Sequence, residues 1–344
     1  MFVACGILCA FLTSGAAMGA NPVYPVSDIP AVLKENARAV IRYEEQVLKI
    51  KSARLATLSC TYAITILNEN GLRYALFVEG TDRFRYVSNI RGVIYDAAGK
   101  KVEQLNQERI IDHSAIASIN LYDDNRVLYF EPRYRTYPFT VSYQYEVRLD
   151  GFNYFPSWDP CRDVNISVQK SLFRVVTTDS ARFRYHSSDP SLSPVCEKNA
   201  EGNLFTWQLE NVTAKEAEPF AGAEDEYLPV VYLAPNGFSM DGYEGNQETW
   251  QAFGKWISLI NAGRNQISEE KKSFITHLVK DSPSDRDKAE RIYRHFQETT
   301  RYVSIQIGIG GWQPMKASEV ERLGYGDCKA LANYLQALFA AAGL

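Results

Sequence analysis

Between residues 54 and 212 the chain passes through strand-like segments at short intervals, with no long helical pattern separating them. Residues 141–149 alternate most cleanly. Val141, Tyr143, Tyr145 and Val147 point one way, and Ser142, Gln144, Glu146 and Arg148 point the other. Strands are also expected at 54–68, 74–78, 86–95, 109–116, 126–131, 165–177, 181–186 and 204–212, with turns at Asn70-Gly71 and 96–100. A parallel sheet would need a crossover of a dozen or more residues between neighbouring strands. The spacing therefore predicts a mostly β N-terminal domain, an antiparallel two-sheet sandwich whose apolar faces bury each other. The 21 tyrosines and 17 phenylalanines agree with sheet structure. Residues 28–41 read as a short helical lead-in, with Asp28 capping, Pro30 early and Val32, Leu33 and Ala37 on the apolar side.

The first twenty residues contain no charged side chain and are followed by Asn21-Pro22. An apolar run passing into small residues reads as a secretory signal peptide, without the usual basic start. The competing reading is a buried first helix. Cys5 and Cys9 lack the preceding hydrophobic stretch of a lipid anchor. Export places the protein in the periplasm or cell envelope. Four cysteines then remain, and Cys161 and Cys196 are candidates for a disulfide. Cys60 lies in an alternating run and reads as a buried strand thiol. A net charge of −4 gives no general attraction to nucleic acid. No glycine-rich phosphate loop or metal-ligand spacing is present, so no cofactor or metal is expected; His277 and His295 fall on separate predicted helices.

The aromatic segment 153–158 reads either as a ligand-binding loop or as packing against the next domain. The acidic stretch 214–225 and the cluster 224–226 read as a solvated linker, and 227–233 as an apolar element joining the domains. From there the period changes. Helices are expected at 247–260, with Trp250, Phe253, Trp256, Ile257 and Ile260 on apolar positions, at 269–279 after Ser268, and at 285–301 after Ser284. Residues 302–309 return to extended structure, and 319–323 form a short helical lead into Gly324-Tyr-Gly326.

The last stretch carries the sharpest chemical signal. Asp327 is placed to cap a helix with Cys328 in its first turn, where free amide hydrogens favour a nucleophilic thiolate. Leu331, Leu335, Leu338 and Phe339, with Ala332 and Ala342, would anchor that helix in a core. The competing reading is a buried structural cysteine. Lys329 adds positive potential or faces solvent.

The runs YVSIQIGIGGWQP and GYGDCKALANYLQALFAAAGL resemble the start of a bacterial transglutaminase-like core, and the all-β region resembles the DUF3857 domain that precedes it. The resemblance implies three segments: a signal peptide at 1–20, a DUF3857-like β domain with its lead-in at 21–245, and a helical linker with a partial α+β, papain-like core at 246–344. It makes Cys328 the nucleophile and implies a later histidine and acid that have no match before Leu344, so the chain reads as C-terminally incomplete and inactive alone. Trp312 matches the WxP aromatic and would shape the cleft or support an oxyanion pocket; Gln313 would donate a hydrogen bond there, and packing is the alternative for both. Asp327 is read as the helix cap rather than the acid. Ala330 stands where many relatives carry aspartate. The implied reaction is cysteine-dependent acyl transfer or hydrolysis on a protein or peptide amide. The alternative is an exported binding or scaffold protein whose β domain recognises a cell-envelope protein or glycan.

Overall fold

The computed structural model describes residues 23–115, 120–178, 182–199, 202–216, 218, 220, 222 and 228–344. In chain order the strands are β1 (Ala39–Ile50), β2 (Leu55–Ile66), β3 (Phe77–Thr81), β4 (Arg85–Tyr95), β5 (Lys101–Gln104), β6 (Ile111–Ser114), β7 (Asn120–Asp123), β8 (Arg126–Phe130), β9 (Phe139–Asp150), β10 (Ile166–Thr177), β11 (Phe183–Ser187), β12 (Val195–Asn199), β13 (Gly202–Val212), β14 (Val231–Pro235), β15 (Gly237–Met240) and β16 (Tyr243–Asn246). Helices α1 (Trp250–Asn261), α2 (Glu269–Leu278) and α3 (Asp285–Thr299) follow. The remaining elements are β17 (Arg301–Tyr302), β18 (Ser304–Gln306), α4 (Ala317–Leu323), β19 (Tyr325–Gly326) and α5 (Cys328–Ala341).

One eight-stranded sheet dominates, in the order β12-β13-β10-β1-β2-β9-β4-β5. Its neighbours are antiparallel except for the parallel pair β1/β10. The expected two-sheet sandwich is therefore corrected. The layer facing the large sheet is divided among short pieces, notably β3-β8-β6 and β11-β14. Register explains how these pieces are held. Trp207, Phe173, Gln46, Cys60 and Tyr145 form one cross-strand row, and Ser171, Glu44, Tyr62 and Tyr143 form the next. Because side chains repeat every second residue, both rows project from the same face. Tyr143 meets Phe77 of β3 and Phe130 of β8, while Trp207 meets Tyr185 of β11.

The lead-in also departs from expectation. Residues 26–28 and 31–34 form 3-10 turns, but Ala39–Ile50 is a central strand. Parallel pairing to β10 and antiparallel pairing to β2 place it inside the sheet. Burial at Val40, Ile41, Arg42 and Glu44 removes the alternation that marks a half-exposed strand. Within 153–158, Trp158, Phe155 and Asn153 are buried while Tyr154 and Ser157 are exposed, so most of the aromatic segment packs. Cys161 is buried, Cys196 is exposed on the edge strand β12, and both are free thiols, which removes the expected disulfide. Cys60 is buried. The signal segment and residues 224–226 lie outside the described residues.

Ser268 and Ser284 accept the backbone N–H groups of Lys271 and Asp287, so both capped helices start where their sequence signals lie. Trp250 departs from the apolar pattern: it opens α1 and is 86% exposed. Trp256 and Ile260 of α1 join the core of the large sheet, whereas α2, α3, α4 and α5 share a second core. Packing thus divides the chain after α1. The two parts are also stitched by parallel pairing of β18 with β7. Gly245 permits the packing below α1, because a Cβ there would come within 2.3 Å of the Phe238 ring. Among the described residues no helix is long and apolar enough to cross a membrane.

Candidate functional site

Cys328 is the first residue of α5 and is exposed. The preceding chain explains its placement. Gly324 closes α4 in the left-handed region, at φ 70°, and the short strand β19 then pairs with β17. Asp327 follows as the N-cap. Its side chain accepts the Ala330 N–H at 2.9 Å and is itself 4% exposed. The other carboxylate oxygen takes Lys329 Nζ and, at 3.3 Å, Gln306 Nε2 from β18. The buried face of α5 carries Ala330, Tyr334, Ala337 and Leu338, which fixes the helix and hence the direction in which the thiol leaves it.

An open groove of about 680 Å³ lies between α1 and α5. Lys329, Asn333 and Gln336 form one wall, Ile257 and Asn261 the other, and Trp312 borders it. Cys328 precedes Lys329 by one residue and is not part of the lining. Trp312 is 39% exposed and meets Phe253 and Trp256 edge-on, so α1 supports its ring while one side faces the groove. Asn261 Oδ1 is buried and has no hydrogen-bond partner among the described residues.

Gln313 has a different task from the one its sequence position suggests. Its Nε2 donates to Ile260 O at 2.9 Å and Tyr243 Oη at 3.3 Å, which uses both hydrogens, and its Oε1 accepts from Arg264. The amide is a clamp between α1 and the WxP segment and has no donor left for an oxyanion. Arg264, which sequence reasoning missed, completes the clamp. Its Nη1 donates to Pro314 O, and its own carbonyl accepts from Ala317 N and Asn333 Nδ2. No local motif announces that role, because its partners lie about fifty to seventy positions away.

Two of the four histidines pack on aromatic rings. The His186 ring stacks on Tyr232, and the His295 ring packs on Phe274. Partial burial and nearby Lys271 lower the His295 pKa. His113 lies on β6 with Nδ1 at 3.2 Å from Ser114 O, and His277 lies in the last turn of α2. No hydrogen bond among the described residues joins a histidine to Cys328. No group of three or more His, Cys, Asp or Glu among them is arranged to hold a metal ion.

Replacing Asp327 with alanine removes the cap and the anchor for Gln306. Unfolding in urea should show a loss of about 1–2 kcal/mol, with a smaller loss for Asp327→Asn, which can still cap. Equal losses for the two variants would contradict the capping account.

No curated protein matches the chain. Among solved structures it is similar to a protein from Parabacteroides distasonis ATCC 8503 described as "a putative protease". The TM-score is 0.63 and the identity 16%, and the match covers 89% of this chain and 59% of that one. At this identity the likeness shows the fold, and the chain spans 59% of that protein's length. An M1 zinc metallopeptidase from Deinococcus radiodurans aligns at a TM-score of 0.29 and 9% identity, covering 75% of this chain and 56% of that one, a level that carries no argument. The model for DUF3857, described as a domain of unknown function with solved structure, matches residues 55–216. That span runs from β2 through β13, so the large sheet, completed by β1 from outside the match, is built around a DUF3857 domain.

Proposed function

We propose that the helical part is the first portion of a transglutaminase-like core in an exported protein, with Cys328 as the nucleophile of acyl transfer or amide hydrolysis. The observation that carries this reading is the thiol's setting: exposed, at the start of a capped helix whose Lys329, Asn333 and Gln336 line a groove. A peptide-like substrate with its chain along this groove would have to bring its carbonyl carbon to the sulfur. Trp312 would give the acyl group an aromatic wall. The likeness in fold to the protein described as "a putative protease" supports the same class.

Among the described residues no histidine hydrogen-bonds to Cys328 to deprotonate the thiol and protonate an amine leaving group. Amide turnover by this polypeptide alone is therefore not expected. An activated ester avoids the need for leaving-group protonation. With a p-nitrophenyl ester, Cys328 Sγ attacks the carbonyl carbon, the S–C bond forms, the C–O bond breaks, p-nitrophenolate leaves and the thiol proton passes to solvent. The expected result is a burst of about one equivalent with the acyl group on Cys328 by peptide mapping, abolished in Cys328→Ala. Acylation spread equally over Cys196 and surface lysines would count against the proposal.

A further inference from the structure

The divided layer over the large sheet leaves a second cavity, of about 410 Å³, remote in sequence from Cys328. Its floor is one face of β2, made by Leu58, Cys60, Tyr62 and Ile64. One rim comes from the turn before β3 and from β3 itself, with Tyr74 and Glu79. The other comes from the loop after Trp158, with Asp159 and Arg162. A cavity of this size, with an apolar floor and a few fixed polar groups, is in the range that holds small ligands.

The rim groups are locked before any ligand arrives. Arg162 donates to Glu44, which is 1% exposed and also accepts from Ser171 Oγ at 2.6 Å and Gln46 Nε2 at 3.2 Å. The guanidinium carbon lies 5.0 Å from the Tyr62 ring centroid. Its backbone is in the left-handed region, at φ 48°, an unfavourable conformation for arginine that the surrounding contacts sustain. Across the cavity, Glu79 accepts from Arg85 at 2.6 Å and from the Tyr145 hydroxyl. Asp159 accepts the Arg162 backbone N–H at 3.0 Å and makes no ion pair with a side chain among the described residues. Burial raises its pKa.

These features decide the ligand class. The cations are paired with acids, Arg162 with Glu44, Arg85 with Glu79 and Arg73 with Asp163, so the cavity has no strong positive field to select an anion. It instead offers fixed donors and acceptors of both kinds around an aromatic and aliphatic floor. A pyranose matches that pattern, because every hydroxyl both donates and accepts while the ring presents a C–H face. Cys60 adds no covalent chemistry, since burial pushes its thiol up to about 12.

We propose that this cavity in the DUF3857 domain is a binding site for a neutral saccharide of one or two rings. It would hydrogen-bond to Asp159 and to the guanidinium edge of Arg162 and lie against the β2 floor, with Arg162 between it and the Tyr62 ring. The site is independent of the Cys328 reading, and either can fail alone.

The test is saturation-transfer NMR on the full chain with glucose, galactose, mannose, N-acetylglucosamine, cellobiose and chitobiose, with glycine and acetate as charged controls. At least one sugar should bind with a Kd on the order of 1 mM, weaken about tenfold in Asp159→Asn and disappear in Ser157→Trp. Ser157 is exposed at the mouth, so the tryptophan blocks entry without entering the core. Asp159→Asn keeps an oxygen for the Arg162 N–H and supplies a second reading if the tryptophan variant misfolds. Binding by none of the sugars, sugar binding unchanged in Asp159→Asn, or tighter binding of glycine or acetate than of any sugar would overturn the proposal.

Discussion

Trp158→Ala is expected to cost about 3–5 kcal/mol, the range for deleting a large buried aromatic. Trp158 is fully buried and stacks on Phe173 at 6.0 Å between ring centroids. Its indole N–H donates to Ser171 Oγ at 3.0 Å, and that same hydroxyl donates to Glu44. The backbone of Trp158 also exchanges two hydrogen bonds with Val231 at 2.9 Å. One residue therefore fastens the covering loop to the sheet, to β14 and to the buried carboxylate. Trp158→Phe keeps the ring but not the N–H, so it should cost clearly less. Denaturant titration checks both, and a loss below about 1.5 kcal/mol for the alanine variant would contradict the packing account.

Arg162→Ala is the second large effect. Removing one partner of a buried ion pair costs about 3–5 kcal/mol, because the other charge stays buried without compensation. The Arg162 side chain is 37% exposed, so water can replace part of what it gives, and a loss of about 2–3 kcal/mol is expected. Glu44→Gln added to Arg162→Ala should recover part of that loss, since the orphaned charge is gone. A double variant no more stable than Arg162→Ala would mean that the arginine acts mainly by packing. Because this variant weakens the fold, the saccharide test relies on Asp159 and Ser157 instead.

The parts of the fold legible in the sequence are those governed by neighbours along the chain. In β9, Gln144, Glu146 and Arg148 are exposed and alternate with buried or half-buried Tyr143, Tyr145 and Val147, as the period of two requires. Ser268, Ser284 and Asp327 each cap the helix that follows them. What the sequence hid depends on distant partners. In β1 the acidic Glu44 looks like a solvent position, yet Arg162, 118 residues later, and Ser171 on β10 keep it inside. Burial on both faces then erased the strand signal, and the helical lead-in that Asp28 and Pro30 suggested ran over its first three residues. The division of the second layer was equally hidden, because short strands show no local preference for one large sheet over two. At the site, the sequence pointed to Cys328, Asp327 and Trp312, but Gln313 resembled a free donor. Its engagement by Ile260, Tyr243 and Arg264 is a tertiary fact.

The central functional claim is that α5 and its groove make Cys328 a directed nucleophile rather than merely an exposed thiol. Cys196 is the natural internal control, because it is also exposed but lies on the edge strand β12. The most direct measurement is site-resolved alkylation by a peptide-linked acrylamide, followed by peptide mapping, with iodoacetamide as a small reference reagent. The account predicts that the peptide reagent labels Cys328 at least about tenfold faster than Cys196, beyond any ratio seen with iodoacetamide, and that Trp312→Ala removes the advantage. Cys60 and Cys161, whose thiols burial pushes up to about 12, should remain unlabelled until the protein unfolds. The same Cys328 to Cys196 ratio for both reagents, unchanged in Trp312→Ala, would contradict the claim.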